Sequence, residues 1–281
     1  MASKGTINVP SPSQQFDLQR QLLFAAWNQQ LQRARHLLAT HPELDLSHYD
    51  PEDPEQNSAL HLSADFGFVE LVQLLTEQPQ IDVNLKNSSG ATPFLLACTC
   101  GRGAVVRHLV TDPRVEVNTP DSGDATPLWW AGYYNYTDIV RILVASGRPL
   151  ELELPGRTAK AAEKHTIFEV VSHITRANVE QLLLRFVGDS MRVRHALRRQ
   201  LGMMNLATAE LFALIVMVCD DYAEVIVPRQ DEALTRFLAV ATRLPMDLQM
   251  LLCNRVYQLP ASVIHKRDCE LAFRNVFAWD F

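Results

Sequence analysis

One spacing constrains this chain more than any other. Ser58-Ala59-Leu60-His61, Thr92-Pro93-Phe94-Leu95 and Thr126-Pro127-Leu128-Trp129 recur in the same register every 34 residues. Further along each unit, Leu71, Val105 and Ile139 fall in step, as do Val72, Val106 and Val140, then Leu75, Leu109 and Leu143. Val83-Asn84 is echoed by Val117-Asn118. Self-similarity at such a period means stacked units, because one unit of this size cannot bury its own apolar face and must share it with neighbours.

The residues within a unit say what it is made of. In Thr-Pro the hydroxyl caps free backbone N–H groups and proline suits the first helical position, so each unit opens on a helix. Apolar residues then recur at helical spacing, pause at Gly67 or Gly101, and resume in a second helix. Turn formers follow, as in Lys86-Asn87-Ser88-Ser89-Gly90 and Thr119-Pro120-Asp121-Ser122-Gly123-Asp124. Each unit is therefore a helix pair with a protruding turn.

These residues resemble the ankyrin family. Its pattern Thr-Pro-Leu-His-x-Ala is matched best by Thr126-Pro127-Leu128-Trp129-Trp130-Ala131, and also by Ser58-Ala59-Leu60-His61-Leu62-Ser63-Ala64. Three clear repeats occupy 57–147. Arg157-Thr158-Ala159 with Glu169-Val170-Val171 reads as a degraded fourth copy. The third copy departs from the pattern, with Trp129 in place of the usual histidine and Asn135 in place of Gly67 and Gly101. It is also unusually aromatic, since Trp129, Trp130, Tyr133, Tyr134 and Tyr136 lie close together.

The expected organisation is all-α, an ankyrin-repeat solenoid followed by a C-terminal helical domain. Residues 1–16 are expected to be a disordered leader and 17–47 an N-terminal helical cap. The acidic, proline-bearing stretch at 48–56 reads as a connecting loop, 57–175 as the repeats, and 176–281 as the helical domain. In that last part Val179, Leu182, Leu183 and Phe186 share one helical face, and Leu206 to Cys219 is the most apolar helix. Helices are also expected around Leu234–Ala241, after Pro245 and after Asp268. Leu244-Pro245-Met246-Asp247-Leu248 resembles the start of an F-box; an array followed by such a box or a SOCS box implies an adaptor of a ubiquitin ligase.

Charge narrows the partners. The net charge is -6, and residues 1–149 hold 10 Lys and Arg against 16 Asp and Glu. That half repels phosphate backbones and anionic membranes, so neither nucleic acid nor membrane is expected as partner, and a basic or weakly charged protein surface is. Met1 to Phe16 lack the apolar core of a secretory signal, and the five cysteines are sparse and odd in number. Reduced thiols in the cytoplasm or nucleus are expected, with a monomer favoured.

No catalytic chemistry stands out, and the reading is that the chain is not an enzyme. Gly101-Arg102-Gly103 lacks the further glycine or lysine of a phosphate loop, no Gly-x-Ser-x-Gly elbow occurs, and Asp220-Asp221 ends a helix. Cys98 and Cys100 have the wrong spacing for zinc and should point to opposite sides. No metal or cofactor is expected. The basic run Arg192, Arg194, His195, Arg198 and Arg199 interleaves with Val193, Leu197 and Leu201, which reads first as a helix with a solvated basic face, second as a surface docked on the acidic array of the same chain, and third as a nucleic-acid contact.

The resemblance implies a different kind of site. Ankyrin arrays bind proteins on a concave surface made of turn tips and the exposed residues of each first helix. In this sequence the helix positions are Asp65, Phe66, Thr99, Cys100, Tyr133 and Tyr134, and the turn positions are Ser88, Ser89, Ala91, Ser122 and Ala125. Tyr133 and Tyr134 fit two roles, as anchors for a partner or as rings packed beneath the preceding turn.

Overall fold

The computed structural model describes residues 12–50, 52–158, 163–173 and 177–219, together with Gln249 and Cys253. Twelve helices run through them: α1 (Pro12–Trp27), α2 (Leu31–Thr40), α3 (Ala59–Phe66), α4 (Val69–Thr76), α5 (Pro93–Thr99), α6 (Gly103–Val110), α7 (Pro127–Tyr133), α8 (Thr137–Ser146), α9 (Ile167–His173), α10 (Ala177–Gly188), α11 (Ser190–Leu201) and α12 (Met204–Cys219). Among the described residues only two isolated bridges, Tyr49 with Ser58 and Gly156 with His165, have β character. The odd-numbered helices α1 to α9 stack in one row and the even-numbered α2 to α10 in a second. This is a two-layer solenoid.

The repeat residues act as their chemistry requires. Thr92 Oγ1 accepts from Leu95 N at 3.2 Å and Thr126 Oγ1 from Trp129 N at 3.2 Å, with Pro93 and Pro127 opening α5 and α7. In α3 the same task falls to Ser58 and His61. Ser58 N donates to His61 Nδ1 at 3.3 Å, and His61 Nε2 reaches the Ala91 carbonyl of the next repeat at 3.1 Å. Helices of seven or eight residues are too short to persist alone. They persist here because Leu71, Leu75, Phe94, Leu109, Leu128 and Leu143 are all fully buried between layers.

Between the two helices of each unit the chain turns through the left-handed region. Gly67 and Gly101 have φ of 77° and 75°, and Asn135 takes the same place at 59°. Asparagine is the residue that best tolerates this geometry after glycine, so the third copy keeps the turn despite the substitution. Gln29, between α1 and α2, lies there too at 56°. The N-terminal pair is thus built like the repeats that follow it, and α1 begins at Pro12, inside the stretch expected to be leader.

The fourth unit is displaced from its expected place. Its first helix opens at Thr166, six residues beyond the 34-residue period counted from Thr126, where Thr166 N donates to Glu169 Oε2 at 2.7 Å and Glu169 N to Thr166 Oγ1 at 3.4 Å. That reciprocal pair is a capping box. Gly132 lets α9 approach α7, since a Cβ there would stand 2.2 Å from Ile167 Cδ1. With α10 packed on α8 and α9, this pair crosses the 175/176 line drawn from the sequence.

Beyond it, α11 lies on α8 and α10, and α12 on α11. The basic run is only partly solvated. Arg192, His195 and Arg199 are exposed, but Arg194 and Arg198 are buried. Arg198 Nε donates to the Ala145 carbonyl at 2.7 Å, at the C-terminal end of α8, and its two Nη atoms grip Glu210 at 2.7 and 2.6 Å. A cation at a helix C-terminus meets the negative end of the dipole. The run therefore docks the C-terminal helices onto the array through Arg198, while Arg192, His195 and Arg199 keep a solvated face.

Candidate functional site

The turns are built on a repeated acceptor. Asp53, Asn87 and Asp121 are 34 residues apart, and each folds its own tip. Asp53 takes the N–H groups of Glu55 and Asn57 at 3.1 and 2.9 Å. Asn87 Oδ1 takes those of Ser89 and Ala91 at 3.1 and 2.9 Å, and Asp121 Oδ1 those of Gly123 and Ala125 at 2.8 and 3.0 Å. Such side-chain turns give loop N–H groups partners without a helix or sheet. Adjacent tips are then laced together, with Ser88 N donating to Glu55 O at 3.0 Å, Ser122 N to Ser89 O at 3.0 Å and Arg157 N to Gly123 O at 3.1 Å. The stretch at 48–56, expected to be a linker, is one of these tips.

The sequence-derived site residues fall into three groups. Ser88, Ser89 and Ser122 are exposed at the tips, although Ser88 Oγ also binds Pro54 O at 2.8 Å and Ser122 Oγ binds Ser89 O at 2.7 Å. Ala91 and Ala125 are buried at 3% and 0% exposure. They lie in the turns with their side chains buried in the stack, so they offer a partner nothing. Asp65, Phe66, Thr99 and Cys100 are half-buried along the inner row. There Cys100 Sγ donates to Asp65 Oδ1 at 2.8 Å, and Thr99 Oγ1 to Leu95 O at 2.9 Å. Burial and the adjoining Asp65 carboxylate push the Cys100 thiol up to about 12, so it is a hydrogen-bonding group and not a nucleophile. Cys98 is fully buried in the core, whereas Cys100 is half-buried.

Tyr133 and Tyr134 take one role each. The Tyr133 ring stacks on buried Trp129 with centroids 5.3 Å apart and planes 8° apart, so it is largely packing. Tyr134 is 43% exposed and lies between Trp130 at 5.6 Å and Tyr136 at 5.7 Å, both stacked. Two hydrogen bonds fix this aromatic block. Trp129 Nε1 donates to His165 O at 2.7 Å, and Trp130 Nε1 to Asp121 Oδ2 at 2.7 Å. The second ties the rings to the neighbouring turn tip.

Sequence reasoning missed the first-repeat end of this row. Trp27 precedes the left-handed Gln29 as Asp65 precedes Gly67, and it is 62% exposed. Its ring meets Phe66 edge-on at 5.3 Å. The signal was present as an aromatic two residues before the interhelical turn, in the place of Asp65, Thr99 and Tyr133.

Compared with models of known protein families, the chain matches ankyrin repeats, in three copies, over residues 22–121 and 80–153. Residues 22–153 are ankyrin repeats. The match begins inside α1, so it takes in the helix pair first read as a cap. No curated protein matches the chain. As an ankyrin-repeat protein it carries a protein–protein interaction module. Among the described residues no helix is long and apolar enough to cross a membrane, and no three His, Cys, Asp or Glu side chains are grouped to hold a metal ion. The Leu244–Leu248 segment, Asp220-Asp221 and the helices expected after Leu234 lie outside the described residues.

Proposed function

We propose that the ankyrin repeats hold a partner protein on the face formed by the inner helices and the turn tips. Tyr134 and Phe66 serve as apolar anchors, with the outer edge of Tyr133 beside them. Asp65, Thr99 and Cys100 from the helices, and Ser88, Ser89 and Ser122 from the tips, supply the polar surround. The observation that carries this reading is the exposed Tyr134 ring, held in a stack pinned by the Trp130–Asp121 bond. A ring already fixed in place loses little freedom on binding, and tyrosine presents a large apolar area with one polar end.

The test is a quantitative pull-down from the native source with the wild-type chain and with Tyr134→Ala, followed by titration of the recovered partner. An anchor residue should cost about 2 kcal/mol, near thirtyfold in Kd, while the melting curve stays in place. Equal recovery by both proteins would refute the assignment.

A further inference from the structure

At the first-repeat end of the array a groove of about 820 Å³ opens between α1 and the tip at 50–57. Its walls include Phe24, Trp27, Asp17, Asp50, Glu52 and Asp53. Phe24 is 52% and Trp27 62% exposed, an unusual amount of aromatic surface to leave in water. The carboxylates are spread along the groove. Asp50 and Asp53 are held by their own turn, through Glu52 N at 3.0 Å and the two bonds already described. Asp17 and Glu52 are exposed and form no ion pair among the described residues.

The rings on this side of the array already accept guanidinium groups. Arg33 Cζ lies 5.5 Å from the Phe24 centroid, and Arg20 Cζ lies 5.9 Å from that of Phe16. Both arginines line the groove, yet neither covers Trp27, whose indole is the best cation acceptor of the aromatic side chains. Since the carboxylates do not converge into a metal cluster, they suit several positive charges set along an extended chain better than one compact ion. The Trp27–Phe66 contact makes the groove continuous with the binding face proposed above.

From this geometry we infer that the groove binds an extended lysine- or arginine-bearing segment of the partner protein, one cationic side chain lying on Trp27 and others meeting Asp17 and Glu52. This deepens the concave-face reading and rests on it. It assigns the partner a chemistry that the tyrosine block by itself leaves open.

The test titrates three fluorescein-labelled decapeptides, alternating Arg with Gly, Ser with Gly and Glu with Gly, against the full-length chain by fluorescence anisotropy. The arginine peptide alone should bind, more weakly as salt rises. Trp27→Ala and the double variant Asp17→Lys/Glu52→Lys should each weaken it by about tenfold or more. Tyr134→Ala should weaken capture of the native partner by about thirtyfold, as above. If Trp27→Ala shifts the melting curve, the charge-reversed pair, on two exposed side chains, decides. Absent binding of the arginine peptide, equal binding of the serine peptide, or full affinity in the charge-reversed pair would each overturn the groove assignment. In those cases the Tyr134→Ala pull-down still reports on the concave face separately.

Discussion

Arg198 is the residue whose removal says most about how the C-terminal helices are held. It is 3% exposed and joins three elements, taking carbonyls at the end of α8 and both oxygens of Glu210 on α12 from its place on α11. Arg198→Ala leaves the Glu210 carboxylate without its cation and the Ala145 carbonyl without its donor. Breaking a buried pair by deleting one partner costs about 3–5 kcal/mol. Glu210 keeps 21% of its side chain exposed, so water recovers part of its hydration, and a loss near the lower end, about 3 kcal/mol, is expected. Replacing both members with apolar residues of similar volume, Arg198→Met with Glu210→Leu, should return stability to within about 1 kcal/mol of wild type, because neither charge is then left buried. Urea unfolding followed by circular dichroism gives the global loss. The rate of tryptic cleavage at exposed Arg192 and Arg199 reports release of α11 itself. A loss in Arg198→Ala under about 0.5 kcal/mol, the size of an ordinary surface substitution, with unchanged cleavage would refute the docking.

Three further outcomes follow from the fold. His61 is held down to about 4 by burial, against an ordinary value near 6.5; between those values the unfolded chain binds more protons, so stability should fall as pH drops, by about 3 kcal/mol in all. Urea midpoints read across pH 7 to 4 check this, and an identical pH slope in His61→Asn would count against it. Gly132→Val should cost about 1–3 kcal/mol or more by driving α9 from α7, read as a lower melting temperature; a neutral result would mean that α9 does not pack there. Trp129→Ala should lose about 3–5 kcal/mol as a buried aromatic, whereas Tyr134→Ala should stay within about 0.5, and equal losses in a thermal melt would erase the distinction between packed and presented rings.

The repeats were legible because their chemistry is local. Thr92-Pro93 and Thr126-Pro127 announce helix starts whatever surrounds them, and the apolar spacing fixes the buried faces. What escaped reading depended on contacts distant in sequence or on a shifted count. The sequence places the start of the fourth unit at Arg157-Thr158-Ala159 and not at Thr166, because only the pairing of Thr166 with Glu169 marks the true start. The stretch at 48–56 reads as a loop because Pro51 and Pro54 interrupt any periodic pattern, while the role of Asp53 rests only on its shared register with Asn87 and Asp121. Among the site residues, the sequence ranks Ala91 and Asp65 alike by position. Ala91 turns inward because its carbonyl meets His61 and its N–H meets Asn87, and those partners lie 30 and 4 residues away. Trp27 was missed for the opposite reason: its helix was read for apolar positions that pack inward, and an exposed tryptophan does not declare itself in that pattern.

The lacing of the tips bears on how such a chain can change length. Glu55 O, Ser89 O and Gly123 O accept from Ser88 N, Ser122 N and Arg157 N in turn, so the tips offer main-chain partners of one kind. Excising residues 88–121 would bring Ser122 beside the Glu55 carbonyl in the place Ser88 now holds, and duplicating them would insert one more rung of the same type. Gains and losses of whole units are therefore accommodated without redesigning either neighbour. The array is thus interchangeable in steps of one repeat, and its length is set by the number of rungs.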